Sequence, residues 1–508
     1  MEALSILQDV FLPGNLLAIA IGVVAGLFIG SLPGLTANLG VALLLPVTFS
    51  MEVTAALLML MSLYTAAIYG GSFSAILLHT PGTSASAATA IDGFALTRQG
   101  EFNKAMRIAT FSSVVGGMVS ALALLLIAPP LSLLSLRFGP AEYFMLAVFG
   151  VTIIGTLATG NMVKGLLAGA VGLLISTAGL DLDSGFPRYT FGFREIGGGI
   201  NFVPVVIGLF SMSQALLMCE ESRKTIQQVD VGAGRWRFFP TWDEIRRIRT
   251  TLARSSIIGV LVGILPGAGG DIGSWVSYNE AKRFARSDEP FGKGSIVGIS
   301  ASETANNAVT GSSLIPLLTL GIPGSATAAI LLGALIIHGL QPGRTLFTDH
   351  AHITYTVIVG FMLANLAMGV VGMSVGRYMG AVTRLPNYIL IPVIVVLSIV
   401  GSYSLGNNAF DVFTMMAFGL IGYLMRKAGF APAPLILGLI LGPIAETGFR
   451  QSLILAKGPL IGYILTSPIS LFLFAMTLLS IASAAWLEYS RIQKRRAEAA
   501  ARGSTGET

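Results

Sequence analysis

Long runs without a charged residue restrict the possible folds of this chain more than any other feature. Residues 15–50, 57–78, 108–136 and 468–487 contain no Asp, Glu, Lys or Arg. Each run reaches the ~20 residues with which a helix crosses the hydrocarbon core of a bilayer. Charged residues make up 11% of the 508 residues, whereas soluble domains carry about 25%. We therefore predict an all-α polytopic membrane protein with about 10–12 transmembrane helices.

A proline–glycine break lies inside the first of these runs, and a second copy of it follows in the other half of the chain. The stretches 26–40 and 259–273 share glycine, leucine or proline at six of fifteen positions. The glycine pair within 69–72 is expected to interrupt the run 57–78. A second type of break also occurs in both halves. The four breaks contain Pro33, Pro81, Pro266 and Pro323. Broken membrane helices at corresponding positions of two halves indicate the binding site of a transporter, and we favour inverted repeats with re-entrant hairpins.

The hydrophilic segments predict where the chain divides and which way it faces. Residues 220–254 hold eight Lys or Arg, so the positive-inside rule places this segment in the cytoplasm. We predict membrane halves at 1–218 and 255–487, a cytoplasmic linker at 219–254 and a basic cytoplasmic tail at 488–508. The segment 181–194 lies one span before the linker and is expected on the opposite, periplasmic side.

Composition and motifs argue against several other classes of protein. The net charge of +6 comes from loops and the tail, so it indicates membrane orientation and not nucleic-acid binding. The single cysteine and four scattered histidines match no disulfide framework or metal motif. No P-loop, Rossmann fingerprint or nucleophile–base set is present. We expect no cofactor, no enzymatic activity and, at 1–14, no cleavable signal peptide.

The chemistry that a broken membrane helix offers suits ions. A Pro-Gly pair ends a helix and releases backbone groups, which lipid cannot satisfy, so the break must face protein or a water-filled cavity. The free N–H groups of the following half-helix suit a carboxylate, and the carbonyl end of the preceding one suits a cation such as sodium. We predict that glycines and small polar residues at the breaks bind substrate or ion. The candidates are Gly34, Thr36, Asn38, Thr83, Ser84, Gly267, Gly269, Asp271, Ser302, Glu303, Asn306, Asn307, Ser325 and Thr327. The alternative is that the hydroxyls bond their own helix backbone.

Two carboxylates stand out among these candidates. Glu303 lies among small and amide residues, and an intramembrane carboxylate is by default a functional hypothesis, such as a proton carrier or cation ligand. The alternative places Glu303 at a helix end in a polar vestibule. Asp271 raises the same question, although the first copy of the repeat has Asn38 at the matching position.

Other polar residues receive more modest interpretations. His79 and His338 each stand alone in apolar runs and are expected to be packing residues; the alternative is a proton relay. Arg188 and Arg194, with nearby aromatic residues, predict contact with an anionic substrate or a docking partner, or else a surface turn. Residues 446–450 are expected to cap a helix end.

In order along the chain, these motifs resemble the large membrane subunit of the tripartite tricarboxylate transporters. The segments that carry the resemblance are 30–36 (GSLPGLT), 45–49 (LPVTF), 69–72 (YGGS), 80–83 (TPGT), 188–192 (RYTFG), 265–269 (LPGAG), 301–307 (ASETANN), 320–327 (LGIPGSAT), 332–343 (LGALIIHGLQPG) and 422–427 (GYLMRK). Together they span nearly the whole membrane region.

The resemblance implies secondary import of di- or tricarboxylates across the bacterial inner membrane, driven by a sodium or proton gradient. It also implies two partners, a small four-helix membrane subunit and a periplasmic substrate-binding protein. An elevator-type movement of the hairpin-bearing core is a further hypothesis. The alternatives are a channel or scaffold subunit without coupled transport and, less favoured, an integral membrane enzyme.

Overall fold

The fold is almost wholly helical. The computed structural model describes residues 2–134, 137–157, 162–181, 184–220, 236–265, 269–382, 385–456, 459–464 and 467–482. Within these ranges the only strands are β1 (Gly179–Leu180) and β2 (Pro187–Arg188), which form a two-stranded antiparallel hairpin. The prediction of an all-α polytopic chain is confirmed.

The described residues of the first part of the chain form ten helices. They are α1 (Glu2–Val10), α2 (Pro13–Ser31), α3 (Ala37–Leu44), α4 (Val53–Leu78), α5 (Ala87–Arg98), α6 (Phe102–Leu134), α7 (Pro140–Leu157), α8 (Met162–Ser176), α9 (Phe202–Val206) and α10 (Ser213–Glu220). A π-helical segment, Ile207–Met212, joins α9 to α10. Short 3₁₀ turns lie at Leu45–Ser50, Ser84–Ser86 and Arg194–Gly198.

The second part adds thirteen helices within the described ranges. They are α11 (Trp242–Ile264), α12 (Gly269–Arg283), α13 (Ile296–Ser312), α14 (Leu314–Leu320), α15 (Ala326–Ile337), α16 (Arg344–Thr348), α17 (Ala351–Val375), α18 (Met379–Val382), α19 (Asn387–Gly406), α20 (Ala409–Lys427), α21 (Ala433–Leu455), α22 (Leu460–Ile464) and α23 (Pro468–Ala482).

Eight helices of the described ranges are long and apolar enough to cross a membrane, and five shorter apolar helices accompany them. Helix α4 runs without a break through 69–72, where the glycine pair suggests an interruption. Helices α3 and α15 have eight and twelve residues. At 1.5 Å per residue neither can span a hydrocarbon core of about 30 Å. Short helices after proline–glycine breaks are what the sequence predicts for a broken membrane helix.

The chain forms two compact units. One comprises residues 1–136 and 203–423, and the other comprises 137–202 and 424–508. All four proline–glycine breaks belong to the first unit. The predicted repeat halves rest on sequence similarity between the two parts of the chain, and their boundaries stay a prediction.

Glycines at every fourth position bring α2 against α4 in the first unit. A Cβ at Gly22, Gly26 or Gly30 would overlap backbone carbonyl oxygens of α4. Helix α11 uses glycines at the matching positions of the repeat: a Cβ at Gly259 or Gly263 would overlap atoms of α13. Small residues permit such close backbone approach inside membranes. The helix before the first type of break is therefore packed in the same way in both halves.

An ion pair holds the start of α11 to α6 in the first unit. Arg107 donates two hydrogen bonds to Glu244, of 2.5 and 3.1 Å, and Glu244 also completes a capping box with Thr241. Burial would raise the pKa of Glu244, but the hydrogen bonds from Arg107 and Thr241 outweigh it and lower that pKa. Glu244 therefore stays ionised and fixes the start of α11 on α6.

A four-charge network holds the β1–β2 hairpin in the second unit. Arg188 pairs with Glu446 at 2.6 Å, and Arg450 pairs with Asp181 at 2.5 Å and with Glu446 at 2.9 Å. Residues 446–450 lie inside α21, so the expectation that they cap a helix end is wrong. Their side chains instead anchor the hairpin, because a charge pair with several hydrogen bonds has a defined geometry.

Candidate functional site

The first and fourth breaks each end in a capped short helix. Gly34 adopts a left-handed φ of 89°, and the Thr36 hydroxyl caps α3 by accepting from Leu39 N at 3.4 Å. At the fourth break Ser325 caps α15 by accepting from Ala328 N at 3.1 Å. Thr36 and Ser325 thus do bond the backbone of their own helices, as the alternative interpretation holds. Both still lie where a half-helix begins.

At the second and third breaks, too, one helix ends and another begins a few residues later. Helix α4 ends at Leu78, and the next residue, His79, has a φ of 55°. Thr83 forms a capping box with Ser86 before α5. Helix α11 ends at Ile264, and α12 begins at Gly269 with a φ of 63°. Gly267, a predicted site residue, and the neighbouring Pro266 lie outside the described residues.

The second break folds back on the helices before it. The N–H of Gly82 donates to the carbonyl of Gly71 at 3.3 Å. A Cβ at Gly82 would overlap the carbonyl oxygen of Gly30, so only glycine fits where these two segments of the backbone approach each other. The break at Pro81 is therefore pressed against the end of α2.

The fourth break repeats these contacts in the second half. The N–H of Gly324 donates to the carbonyl of Ser313 at 3.1 Å, and a Cβ at Gly324 would overlap the carbonyl oxygen of Gly263. Gly263 is the sequence equivalent of Gly30 in the duplicated stretch. The two halves thus build the same junction between their two breaks.

Side chains join the breaks of one half to those of the other. Ser84 at the second break donates to Asp271 Oδ2 at 2.7 Å, and Asp271 follows the third break. Thr327 at the fourth break donates to Asn38 Oδ1 at 2.5 Å, and Asn38 follows the first. Asn38 and Asp271 occupy matching positions of the repeat. The segments that follow the four breaks therefore meet in two pairs, one neutral and one carrying a carboxylate.

Glu303 is buried in the middle of α13. Its carboxylate accepts from Thr89 at 2.5 Å and from Ser113 at 2.8 Å, and Thr89 also contacts the Ser302 hydroxyl at 2.8 Å. Every residue of α13 is buried, and Glu303 is 0% exposed. The alternative of a helix-end carboxylate in a polar vestibule is therefore wrong. Only neutral hydroxyls bind this carboxylate among the hydrogen bonds of the described residues.

Asn306 and Asn307 are buried amides without hydrogen-bond partners in the described part of the chain. The Asn306 side chain lies against the start of α12: a Cβ at Gly270 would stand 2.5 Å from its Oδ1 and 3.3 Å from the Cβ of Ala85. Asn306 is thus beside the Ser84–Asp271 pair. Among the described residues, no hydrogen bond joins the Asn307 amide to the other predicted site residues.

Sequence reasoning missed two buried residues that organise the site. Asp92 of α5 accepts from the N–H groups of Gly292, Gly294 and Ser295 at 2.7–3.0 Å and from the Tyr278 hydroxyl at 2.8 Å. It fixes the loop before α13 to the helix after the second break. A lone acid within the otherwise uncharged stretch 87–97 is the signal that could have identified it.

The second missed residue is Tyr64 of α4. Its hydroxyl lies 3.0 Å from Ser325 and 3.3 Å from Ser313. A tyrosine in an apolar run carries no pattern that distinguishes this contact from core packing. Tyr64 links α4 of the first half to the fourth break.

The two histidines make local contacts. His79 Nδ1 lies 3.2 Å from the carbonyl of Ala90, and its ring packs on Phe94. His338 Nε2 lies 3.3 Å from the Thr48 hydroxyl. These contacts agree with the interpretation of both as packing residues.

The chain is similar in sequence to a known transporter family and to two proteins of Agrobacterium vitis. Residues 16–437 match the tripartite tricarboxylate transporter TctA family. An uncharacterised 52.8 kDa protein in the TAR-I ttuC′ 3′ region of Agrobacterium vitis is 37% identical over 470 residues, 92% of each chain. An uncharacterised protein in the TAR-II ttuC′ 3′ region of the same organism is 35% identical over 224 residues, 44% of this chain and 92% of its own.

The family match and the first of these relatives each cover most of the chain. A match of this extent includes all four breaks, both carboxylates and the two buried asparagines. The chain belongs to the tripartite tricarboxylate transporter TctA family and is a multi-pass membrane component of tricarboxylate transport.

Proposed function

We propose that this chain is the permease of a binding-protein-dependent, three-component importer of di- and tricarboxylates in the bacterial inner membrane, coupled to sodium or protons. The observation that carries the proposal is the pairing of the four breaks across the two halves, through Ser84–Asp271 and Asn38–Thr327. Helix breaks at membrane depth are tolerated only against protein or a water-filled cavity. Two halves that meet at such breaks suit a site exposed to one side of the membrane at a time.

The neutral pair suits the anionic substrate. Asn38 and Thr327 lie in the first turns of α3 and α15, where free N–H groups and the positive end of the helix dipole favour a carboxylate. Their amide and hydroxyl can donate to carboxylate oxygens without placing a fixed charge in the membrane. We assign substrate binding to this pair, together with Gly34 and Ser325 at the same breaks.

Import of a carboxylate needs coupled cations because the cell interior is negative. Moving each negative charge inward against 100 mV costs about 2.3 kcal/mol. A di- or trianion therefore enters with cations that at least neutralise it. Glu303, buried and bound only by hydroxyls, is our candidate for carrying one of them.

Uptake of labelled citrate and other di- and tricarboxylates into proteoliposomes tests this function. The vesicles contain this chain and the small membrane subunit, and the binding protein is added outside. A sodium gradient, a proton gradient and a membrane potential are imposed separately. We expect saturable accumulation that collapses when the driving gradient is dissipated. Gradient-independent uptake would favour the alternative, a channel or scaffold.

We further propose that the binding protein docks on the segment 186–193, which follows β1. Four aromatic side chains there are more than half exposed: Phe186, Tyr189, Phe191 and Phe193. The four-charge network around Arg188 holds the hairpin in place, and one candidate span separates it from the basic cytoplasmic linker. Exposed aromatics on a fixed element resemble the anchors of protein interfaces.

Phe191→Ala is expected to weaken this docking. Phe191 is 81% exposed, so the substitution leaves the packing unchanged. Loss of an aromatic anchor should raise the binding-protein concentration for half-maximal uptake roughly tenfold, with an unchanged maximal rate. Trp242→Ala, at an aromatic that is also largely exposed and lies on the predicted cytoplasmic side, is the control. Equal half-saturation for wild type and Phe191→Ala would refute the docking site.

A further inference from the structure

We infer that a sodium ion binds between the second and third breaks, at the Asp271 carboxylate, the Ser84 hydroxyl and the Asn306 amide oxygen. The inference rests on the proposed function and locates one of its coupling cations. It also assigns the cation to one pair of breaks and the substrate to the other pair.

The first observation is a carboxylate without a cationic partner. Asp271 is partly buried in the first turn of α12, and the Ser84 hydroxyl donates to its Oδ2 at 2.7 Å. No Lys, Arg or His side chain in the described ranges forms an ion pair with it. The Ser84 side of the pair is exposed. A carboxylate in such a place gains from a bound cation.

The second, independent observation is the unpaired amide of Asn306. The residue is 0% exposed, and neither its oxygen nor its nitrogen has a hydrogen-bond partner among the described residues. Leaving a buried polar group unsatisfied costs about 1–3 kcal/mol, and such a group in a native structure calls for a ligand or another explanation.

The position of this amide connects the two observations. A Cβ at Gly270 would stand 2.5 Å from Asn306 Oδ1. Gly270 precedes Asp271 in the chain, and Ala85, which meets the same Cβ position, follows Ser84. The amide oxygen therefore lies near Gly270 and Ala85, the chain neighbours of the two residues that form the Ser84–Asp271 bond.

This ligand set favours a monovalent, hard cation. All three ligands are oxygens, which hard cations prefer, and only one of them is charged, whereas protein sites for calcium gather several carboxylates. The corresponding pair in the other half, Asn38–Thr327, is neutral. The charge difference at matching positions thus assigns the cation to one pair and leaves the other to the substrate.

A site here also supplies the second cation that a dianion requires. Asn306 and Glu303 are three residues apart on α13, so they lie on neighbouring turns of one face. Glu303 is closed off by Thr89 and Ser113, whereas Asp271 is partly exposed. The two carboxylates can therefore hold separate cations in one transport step.

Binding of radioactive sodium to the purified, full-length chain in lipid nanodiscs tests the inference without transport, substrate or partners. Wild type should bind sodium saturably, and potassium should not compete. Asp271→Asn and Asn306→Ala should each lower the sodium affinity at least roughly tenfold. Asp349→Asn removes a carboxylate from an exposed position and serves as the matched control. Thermal unfolding of each variant verifies that it is folded.

The outcomes separate this inference from the proposed function. Asp271-dependent sodium binding in a chain that shows no coupled uptake would support the site and refute the importer. Sodium-driven uptake with unchanged sodium affinity in folded Asp271→Asn and Asn306→Ala would refute the site alone. Binding of a proton but not of sodium at Asp271 would also overturn the inference, because Asp271 would then be a proton carrier.

Discussion

Glu303→Gln is expected to abolish the contribution of one coupled cation to carboxylate accumulation while leaving the fold intact. Glutamine has nearly the same shape and keeps one oxygen to accept from Thr89 or Ser113. It can neither bind a proton nor balance a cation. One coupled charge at 100 mV is worth about 2.3 kcal/mol, so the attainable accumulation ratio should fall about fiftyfold.

The measurement is the steady-state ratio of internal to external carboxylate in proteoliposomes at a fixed gradient. Exchange of internal for external carboxylate, which needs no net cation movement, should persist in part. Glu101→Gln, at an exposed position before α6, is the control for loss of a carboxylate. An unchanged dependence on the gradient in Glu303→Gln would remove Glu303 from the coupling mechanism.

Gly82→Ala and Gly324→Ala are expected to have the largest effect on stability. In each case the new Cβ would overlap a backbone carbonyl oxygen, of Gly30 or Gly263, and a backbone atom cannot move aside as a flexible side chain does. Overpacking of a dense interior costs about 1–3 kcal/mol and occasionally more. Both variants should unfold at lower temperature and lose uptake.

Thermal unfolding of the purified variants, followed together with uptake, measures this effect. Gly14→Ala, where a Cβ would meet nothing within 4 Å, provides the control and should match wild type. Because the two junctions are equivalent, the two variants should lose stability to a similar extent. Normal stability in either one would show that the repeated junction is not as tight as its geometry indicates.

The sequence pattern was sufficient for the class of fold and for the breaks. Absence of charge over 20 or more residues leaves few structures other than a membrane helix. A Pro-Gly pair inside such a run ends the helix for covalent reasons. The same local reasoning failed at 69–72, because glycines in α4 serve close packing: a Cβ at Gly70 would stand 3.0 Å from the carbonyl oxygen of Leu27. A glycine in the sequence does not by itself distinguish a helix break from close packing of two helices.

The pairing of the breaks could not be predicted, because it depends on contacts between distant parts of the chain. Ser84 and Asp271 are 187 positions apart, and Asn38 and Thr327 are 289 apart. Helical periodicity describes one face of one helix and carries no information about such partners. The role of Asp92 could not be predicted for the same reason, because its carboxylate accepts hydrogen bonds from three backbone N–H groups of a loop that is distant in sequence.

The central claim, that carboxylate and cation movements are coupled at these breaks, has a reciprocal consequence. If a cation gradient drives carboxylate import, an inward carboxylate gradient must drive cation import, because coupling between two ligands is mutual. Uptake of sodium and protons is therefore measured in proteoliposomes with the complete transporter, external carboxylate and no imposed cation gradient. We predict carboxylate-driven cation uptake in a fixed ratio for wild type, and a lower ratio for Glu303→Gln. Carboxylate entry without any cation flux would contradict the account.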